Sequence, residues 1–236
     1  MTGPERSPVV VCDGISRRYG TGSGAVVALD DVSATVTAGM RVAVTGGPSG
    51  SGKSTLLHLM AGLDIPTSGT VTRPVPAGSL GGVGVVFQGP SLIPDLDVAE
   101  NVGFPLVLGT HGVAAHEVGG RVAVALERLG IADLADKLPE ELSGGQAQRA
   151  AVARVLVARP AVILADEPTG QLDGETGQLV VSALLDAATE LDAALVVATH
   201  DPRVTERLAE HWRMTDGRLQ PGPHRPSVTT TRGVPG

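Results

Sequence analysis

A glycine-rich loop between an apolar segment and a helical segment constrains the fold of this chain more than any other feature. The loop follows the pattern Gly-x4-Gly-Lys-Ser and contains Gly47, Pro48, Ser49, Gly50, Ser51, Gly52, Lys53, Ser54 and Thr55. The apolar run 40–45 predicts a strand before the loop, and the apolar spacing over 55–61 predicts a helix after it. In that context the backbone N–H groups of the loop and the helix N-terminus form a site for phosphate groups. The alternative is a glycine-rich turn without a ligand, which the flanking strand and helix disfavour.

The size and charge of the chain limit the classes of protein to which it can belong. Its 236 residues, 42% of them hydrophobic, suffice for one substantial α/β domain. A formal net charge of −7 disfavours nonspecific binding to nucleic acid. Cys12 has no disulfide partner and residues 1–6 lack the apolar core of a signal peptide, so we expect a reducing cytoplasm. Because no run of about 18 uncharged apolar residues occurs, we expect any membrane-spanning part to be a separate subunit.

Apolar runs and helical periodicity alternate along the chain. The patterns predict strands at 9–11, 26–36, 40–45, 85–87, 161–165 and 194–199, and helices at 55–61, 118–129, 147–158, 178–191 and 202–209. This alternation favours an α/β fold with a mainly parallel sheet covered on both faces and an antiparallel β subdomain at the N-terminus. We expect one domain over 8–220, with a helical subdomain at 89–146, and a disordered proline-rich tail at 221–236.

Two acidic residues follow one of the buried strands. Asp166 and Glu167 come directly after the apolar run 161–165 and are expected at the same sheet edge as the glycine-rich loop. Here one carboxylate can hold Mg²⁺ and the other can polarise an attacking water molecule. Alone, the pair could merely cap the next helix, but after a phosphate-binding loop it indicates phosphate chemistry.

Three further features add to this pattern. A predicted helix begins within the segment Leu142, Ser143, Gly144, Gly145 and Gln146, and its free N–H groups can bind an anion. A serine N-cap is the alternative interpretation, and it uses the same N–H groups. Gln88 follows the strand 85–87 and His200 follows the strand 194–199. Taken alone, such a glutamine is usually a surface residue and such a histidine is more often structural.

These blocks, in this order, resemble the ATP-binding-cassette (ABC) ATPases over residues 9–219. The resemblance implies an ATP hydrolase that requires ATP and Mg²⁺. Lys53 would contact the β- and γ-phosphates and Thr55 the α-phosphate, within an ATP site formed by Gly47 to Thr55. It assigns Mg²⁺ to Ser54, Gln88 and Asp166, and catalysis to Glu167, His200 and Gln88.

The same resemblance implies a dimer that closes over ATP. Ser143 and the amides of Gly144 and Gly145 would bind the γ-phosphate held by the opposite subunit, with Gln146 as a further ATP-binding residue. Asp173 would lie across the dimer interface. Tyr19, the only tyrosine, occupies the position at which the family stacks an aromatic ring on adenine; a buried edge-strand tyrosine is the alternative. The other histidines show no metal-ligand spacing.

Finer similarities point to a subgroup. The segments 28–33, 56–64, 66–69, 101–106 and 167–173 resemble the group of lipoprotein-release, macrolide-export and FtsE ATPases. This resemblance implies a homodimer, or a heterodimer with a related ATPase, on the inner face of the cell membrane, driving a separate permease in export or mechanical extraction. An importer ATPase and an ATP-driven regulator of a cell-envelope complex remain alternatives. A soluble ABC ATPase of DNA repair or translation is disfavoured, because the chain has neither a long coiled coil nor a second cassette.

Overall fold

The computed structural model describes residues 6–47, 50–74, 81–108 and 113–221. The strands are β1 (Pro8–Tyr19), β2 (Val26–Thr37), β3 (Arg41–Gly46), β4 (Ser68–Thr72), β5 (Gly81–Val86), β6 (Pro160–Asp166), β7 (Ala194–Ala198), β8 (Glu210–Thr215) and β9 (Arg218–Pro221). The helices are α1 (Lys53–Ala61), α2 (Val98–Val107), α3 (Ala115–Arg128), α4 (Gly144–Val157), α5 (Gly174–Glu190) and α6 (Pro202–Thr205). In this part of the chain, no helix is both long enough and apolar enough to cross a membrane.

The larger sheet has six strands in the order β5-β6-β7-β3-β8-β9. Its first five strands run parallel, and β9 pairs antiparallel with β8. The continuous apolar runs of β6 and β7 are buried along their length, as expected for strands covered on both faces. The predicted α/β fold with a mainly parallel sheet is confirmed.

The smaller sheet has the order β2-β1-β4 and is antiparallel. It begins the chain, as predicted, and its long β1–β2 pair runs from Pro8 opposite Thr37 to Tyr19 opposite Val26. Ile15, Leu29, Val32 and other inward side chains of this sheet pack in one core with α1 and with one face of the larger sheet. The small sheet therefore stands directly over the helix that follows the glycine-rich loop.

The opposite face of the larger sheet carries α2, α3, α4 and α5 in a second core. The loop before α2 is fixed by the fully buried Asn101, whose amide donates to the carbonyls of Ile93, Leu96 and Asp97 at 2.7–3.0 Å and accepts from Ile93 N–H at 2.8 Å. Helices therefore occupy much of the segment for which a helical subdomain was expected.

The structure differs locally from the sequence predictions at several points. The helix expected at 202–209 ends at Thr205, because the N–H groups of Arg207 and Leu208 donate three residues back instead of continuing the α-helical ladder. The chain then enters β8, a strand that the sequence patterns did not predict. Strand β4, which begins at Ser68, was also not predicted. Most of the expected tail, 222–236, and residues 75–80 lie outside the described residues.

Candidate active site

The glycine-rich loop connects β3 to α1, as its sequence predicts. Gly52 precedes the helix with φ of +99°, and a Cβ atom there would lie 2.5 Å from the carbonyl oxygen of Ala28. Only glycine fits this conformation and this close approach. Pro48 and Ser49 lie outside the described residues, so their predicted place in the loop is untested.

Lys53 is the first residue of α1, and its side chain folds back over the loop. Its Nζ donates to Ser51 Oγ at 3.1 Å and to the carbonyl oxygen of Gly47 at 3.4 Å. The ammonium group is therefore held beside the free N–H groups at the start of the helix, where anions are favoured. Ser54 is exposed and Thr55 is half-buried on the same first turn.

The acid pair lies at the carboxyl end of β6. Asp166 is the last residue of that strand, and Glu167 has φ of +45°, a left-handed conformation that is strained for a residue other than glycine. The N–H of Glu167 donates to Ala198 O at 2.9 Å, which holds the turn. Within the described residues, Asp166 Oδ1 and Glu167 Oε2 are buried without a hydrogen-bond partner. Such atoms are costly unless a ligand or water molecule satisfies them, so both point to a bound polar group.

His200 contacts the second acid directly. Its Nδ1 lies 2.9 Å from Glu167 Oε1, while 76% of the histidine side chain is exposed. The preceding residue, Thr199, is fully buried; its N–H donates to Val44 O at 3.1 Å and its hydroxyl accepts from Asp201 N–H at 3.0 Å. His200 is thus held by the core on one side and open toward the cavity on the other.

These residues line one cavity of about 510 Å³. Its lining consists of Val26, Ala28, Gly47, Gly50, Ser51, Gly52, Lys53, Ser54, Thr55, Gln88, Asp166, Glu167 and His200. The fold therefore brings the described part of the glycine-rich loop together with Gln88, Asp166, Glu167 and His200. A slightly larger cavity of about 550 Å³ lies beside α3, but it has no glycine-rich loop, and its three arginines face two glutamates.

Gln88 reaches the cavity from the end of β5 and is itself exposed. The carbonyl of the preceding residue, Phe87, accepts a hydrogen bond of 3.0 Å from the side-chain amide of Gln148 on α4. Gln148 is 3% exposed, so this is a buried link. The segment that carries Gln88 is therefore bonded directly to a helix of the second core.

The segment from Ser143 to Gln146 lies outside this cavity. Ser143 caps α4: its hydroxyl accepts from Gln146 N–H at 3.3 Å, and the Gln146 side chain accepts from Ser143 N–H at 2.8 Å. Gly144 is exposed, with open space where a Cβ atom would stand, whereas Gly145 is near Leu172 and Thr176. Ser143 is therefore an N-cap, and none of these four residues lines the cavity around the phosphate loop.

Asp173 begins α5 as its N-cap. Its carboxylate accepts from Thr176 N–H at 2.9 Å and from Thr176 Oγ1 at 2.8 Å. These bonds lower the pKa of Asp173. The residue is exposed, so the structure gives it a capping role inside the chain and leaves its predicted place in a dimer interface untested.

Tyr19 lies near the cavity without lining it. It pairs across the strands with Val26, which does line it, and 41% of Tyr19 is exposed. Val26 and Ala28 also line the cavity, although no sequence motif marks them. The alternating pattern of β2 could have indicated which side chains share a face, but not that this face meets the glycine-rich loop.

A glycine-rich loop between a parallel strand and a helix, with an acid pair and a histidine at the same sheet edge, defines a nucleoside triphosphatase of the P-loop class. The comparison with family models matches the family described as ABC transporter over residues 29–170. The chain belongs to this family, and it is an ABC-type ATPase.

Similar proteins agree with this assignment. The lipoprotein-releasing system ATP-binding protein LolD of Bordetella pertussis (strain Tohama I) is 38% identical over 233 residues, which cover 94% of this chain and 100% of that protein. LolD of Legionella pneumophila (strain Lens) is 39% identical over 221 residues, covering 86% and 93%. Among solved structures, a dimeric post-hydrolysis state of the ATP-binding cassette MJ0796 bound to ADP and Pi is 33% identical with a TM-score of 0.82, covering 92% of this chain and 99% of that one.

Proposed function

We propose that this chain is the ATPase subunit of a membrane complex and that two copies close over two ATP molecules to move a separate permease. One observation carries the proposal: the cavity that unites Lys53, Glu167 and His200 excludes the capped helix start at Ser143. A helix start that does not line the phosphate-loop cavity of its own chain is suited to bind the nucleotide held by a second copy. The dimeric state of the similar cassette MJ0796 supports this arrangement.

In the proposed reaction, Glu167 is the base. Its Oε1 is held by His200, which leaves the buried, unpartnered Oε2 to accept a proton from water. The water oxygen bonds to the γ-phosphorus, the bond to the β–γ bridging oxygen breaks, and ADP and phosphate are formed. Lys53 and the N–H groups at the start of α1 bind the phosphate oxygens throughout.

A magnesium site fits the same cavity. The unpartnered Asp166 Oδ1, the Ser54 hydroxyl and the Gln88 amide are oxygen donors of the kind that Mg²⁺ prefers. Water molecules and phosphate oxygens would supply the remaining ligands, as is usual for Mg²⁺ bound with a nucleotide. When bound, Mg²⁺ would neutralise charge on the β- and γ-phosphates. Asp166 and Ser54 would hold the Mg²⁺ ion near the start of α1.

The Glu167→Gln variant tests the base. We expect ATP turnover to fall by about 10²- to 10⁴-fold, because the amide cannot accept the proton, while ATP still binds. The variant should therefore accumulate as an ATP-bound dimer, measured by phosphate release together with light scattering. Glu127→Gln, a change on the exposed face of α3, should leave both measurements unchanged. Normal turnover by Glu167→Gln would remove Glu167 from this role.

A second variant tests the composite site. Ser143→Arg, combined with Glu167→Gln, should abolish the ATP-dependent dimer, because the large arginine side chain blocks the helix N-terminus. Its affinity for ADP as a monomer should stay unchanged, since Ser143 does not line the cavity of its own chain. A loss of ADP affinity in the monomer would place Ser143 at its own nucleotide and contradict the proposal.

The membrane partner is inferred from the relatives and from the helical face. The resemblance to lipoprotein-releasing ATPases supports export or mechanical extraction. Val107 and Leu108, at the end of α2, are 71% and 61% exposed, beside the half-exposed Phe104, and suit contact with a permease. We place the subunit on the inner face of the cell membrane through this contact.

Co-purification identifies the partner. Glu167→Gln should be trapped with ATP in its native cells, and the gently solubilised membranes should yield a permease with few membrane helices and a large external domain. A compact permease with a solute-binding protein would instead assign the chain to import. Recovery of soluble partners alone would contradict a transport role and favour the regulatory alternative.

A further inference from the structure

Three side chains from two separate segments form a compact cluster beside the cavity. Arg17 and Tyr19 are at the end of β1, and Asp64 lies in the loop after α1. Arg17 and Asp64 are half-buried, with 25% and 22% of their side chains exposed. We call these residues the Tyr19 cluster.

Asp64 binds both of the other members. Its Oδ2 accepts from the Tyr19 hydroxyl at 2.8 Å and from Arg17 Nε at 2.9 Å, and its Oδ1 lies 2.8 Å from Arg17 Nη2. The guanidinium carbon of Arg17 stands 4.5 Å from the centroid of the Tyr19 ring. The ring is therefore fixed at its hydroxyl by a carboxylate and covered on one face by a cation.

Asp64 is itself held in place and charged. It accepts from Ile65 N–H at 2.7 Å through Oδ1. Burial raises the pKa of Asp64, but the hydrogen bonds from Ile65, Tyr19 and Arg17 outweigh that effect and keep the pKa below its ordinary value. The carboxylate is thus ionised at neutral pH and accepts bonds from both partners at once.

The position of Asp64 connects the cluster with the phosphate loop. Helix α1 begins at Lys53 and ends at Ala61, and Leu63 N–H still donates to His58 O in the turn before Asp64. Helix α1 therefore carries the phosphate-binding lysine at its start, and the turn after its end leads to the anchor of Tyr19. Fixing an exposed aromatic ring beforehand reduces the side-chain entropy lost when a ligand packs on it.

We propose that Asp64 is a positioning residue for the nucleotide base: together with Arg17 it holds the Tyr19 ring ready to stack on adenine. Arg17 occupies one face of the ring and leaves the other to the base. This inference rests on the proposed contact between Tyr19 and adenine. It adds that the contact depends on a carboxylate 45 residues away in the sequence.

A double-mutant cycle with two ligands tests this role. Tyr19→Ala, Asp64→Asn and the double variant are titrated calorimetrically with ADP and with inorganic tripolyphosphate, which has no base. Tyr19→Ala should weaken ADP binding about tenfold, the usual scale for one aromatic–base stack. Asp64→Asn should weaken it roughly three- to tenfold and should add nothing in the Tyr19→Ala background, because it acts through the ring. Tripolyphosphate affinity should be unchanged throughout.

The other outcomes separate the two levels of the proposal. If Tyr19→Ala leaves ADP affinity unchanged, the proposed stacking contact fails, and the role of Asp64 fails with it. Only the positioning role is overturned if Tyr19→Ala weakens ADP binding but Asp64→Asn does not. The same holds if Asp64→Asn weakens ADP binding equally in the wild-type and in the Tyr19→Ala background. A parallel loss of tripolyphosphate affinity in Asp64→Asn would show general distortion and also overturn it.

A matched control comes from the same sheet. Asp30 on β2 accepts from Arg218 Nε and Nη2 at 3.0 and 2.7 Å, so it forms an arginine–carboxylate pair like that of Asp64 but without an aromatic ring. Asp30→Asn should leave the affinities for ADP and tripolyphosphate unchanged. Tyr19→Phe, which keeps the ring and loses the hydroxyl, should weaken ADP binding less than Tyr19→Ala.

Discussion

At the residue scale, the last residue of β3 sets the entry to the phosphate loop. Gly46 has φ of +152°, and a Cβ atom there would lie 2.0 Å from the carbonyl oxygen of Met214 on β8 and 2.9 Å from its carbonyl carbon. Backbone atoms cannot move aside as a flexible side chain can. The close approach of β3 and β8 therefore needs a glycine at the point where the strand turns into the loop.

We expect Gly46→Ala to destabilise the protein by more than about 2 kcal/mol, because strain at this φ adds to the clash with Met214. Thermal unfolding monitored by circular dichroism measures the effect. Gly120→Ala is the matched control: Gly120 lies inside α3 with no atom within 4 Å of its Cβ position. That change should stabilise by up to about 1 kcal/mol, since alanine is the better helix former. Equal effects of the two changes would contradict the steric explanation.

At the element scale, the start of α2 depends on a reciprocal cap. Asp97 accepts from Glu100 N–H at 2.7 Å, and the Glu100 carboxylate accepts from Asp97 N–H at 3.0 Å. Asp97→Ala should lower the free energy of unfolding by about 1 kcal/mol, because it exposes N–H groups at the helix start. Asp97→Asn retains a capping side chain and should stay within a few tenths of a kcal/mol of the wild type. Urea unfolding measures both values, and a similar loss in the two variants would show that the cap is not the cause.

The N-cap of the short helix α6 makes the stability of the protein depend on pH. Its N-cap, Asp201, accepts four hydrogen bonds from Arg203, which lower the pKa of the carboxyl. A carboxyl whose pKa is lower in the folded state stabilises the protein above its ordinary pKa of about 3.9, and this contribution is lost as pH falls through the lowered value. The stability difference between wild type and Asp201→Asn should therefore shrink from pH 7 to pH 3.5 in urea unfolding. Arg203→Gln should also reduce the pH dependence of the free energy of unfolding. A stability difference between wild type and Asp201→Asn that grows toward acid pH would contradict this explanation.

The elements differ in how well their sequences predict them. The continuous apolar runs of β6 and β7, and the short run 42–44 within β3, were sufficient, because strands covered on both faces need such runs. Strand β8 was missed because Glu210, His211 and Arg213 break the apolar pattern, and its pairing with β3 and β9 makes it a strand. The same limit applies to the site: residues at strand ends were predicted, whereas the contact between Tyr19 and Asp64 depends on where two distant segments meet.

At the scale of the whole molecule, Cys12 reports on the integrity of the fold. It is the only cysteine, it is 2% exposed, and burial raises the pKa of its thiol to about 11. Labelling by a disulfide reagent at pH 8 should be about 10²-fold or more slower than for a free thiol, because the thiolate is scarce and enclosed. Labelling should become fast in urea and slower still with bound ADP, which favours the folded state. The variant Cys12→Ala with Glu127→Cys, exposed on α3, should react rapidly under all conditions; fast native labelling of Cys12 would contradict its burial.

The six-stranded sheet divides the interior into two cores. Val42 and Val44 face the core of the small sheet and α1, whereas Ala43, between them, faces the core of α2 to α5. A side chain on one side has no van der Waals contact through the sheet with the other. In the evolution or redesign of this chain, a loss of volume in one core can therefore be compensated only by a neighbour in that core. The packing side chains of α1 and those of α4 can thus change as two separate sets of residues, with the backbone of the strands as the part that both must keep.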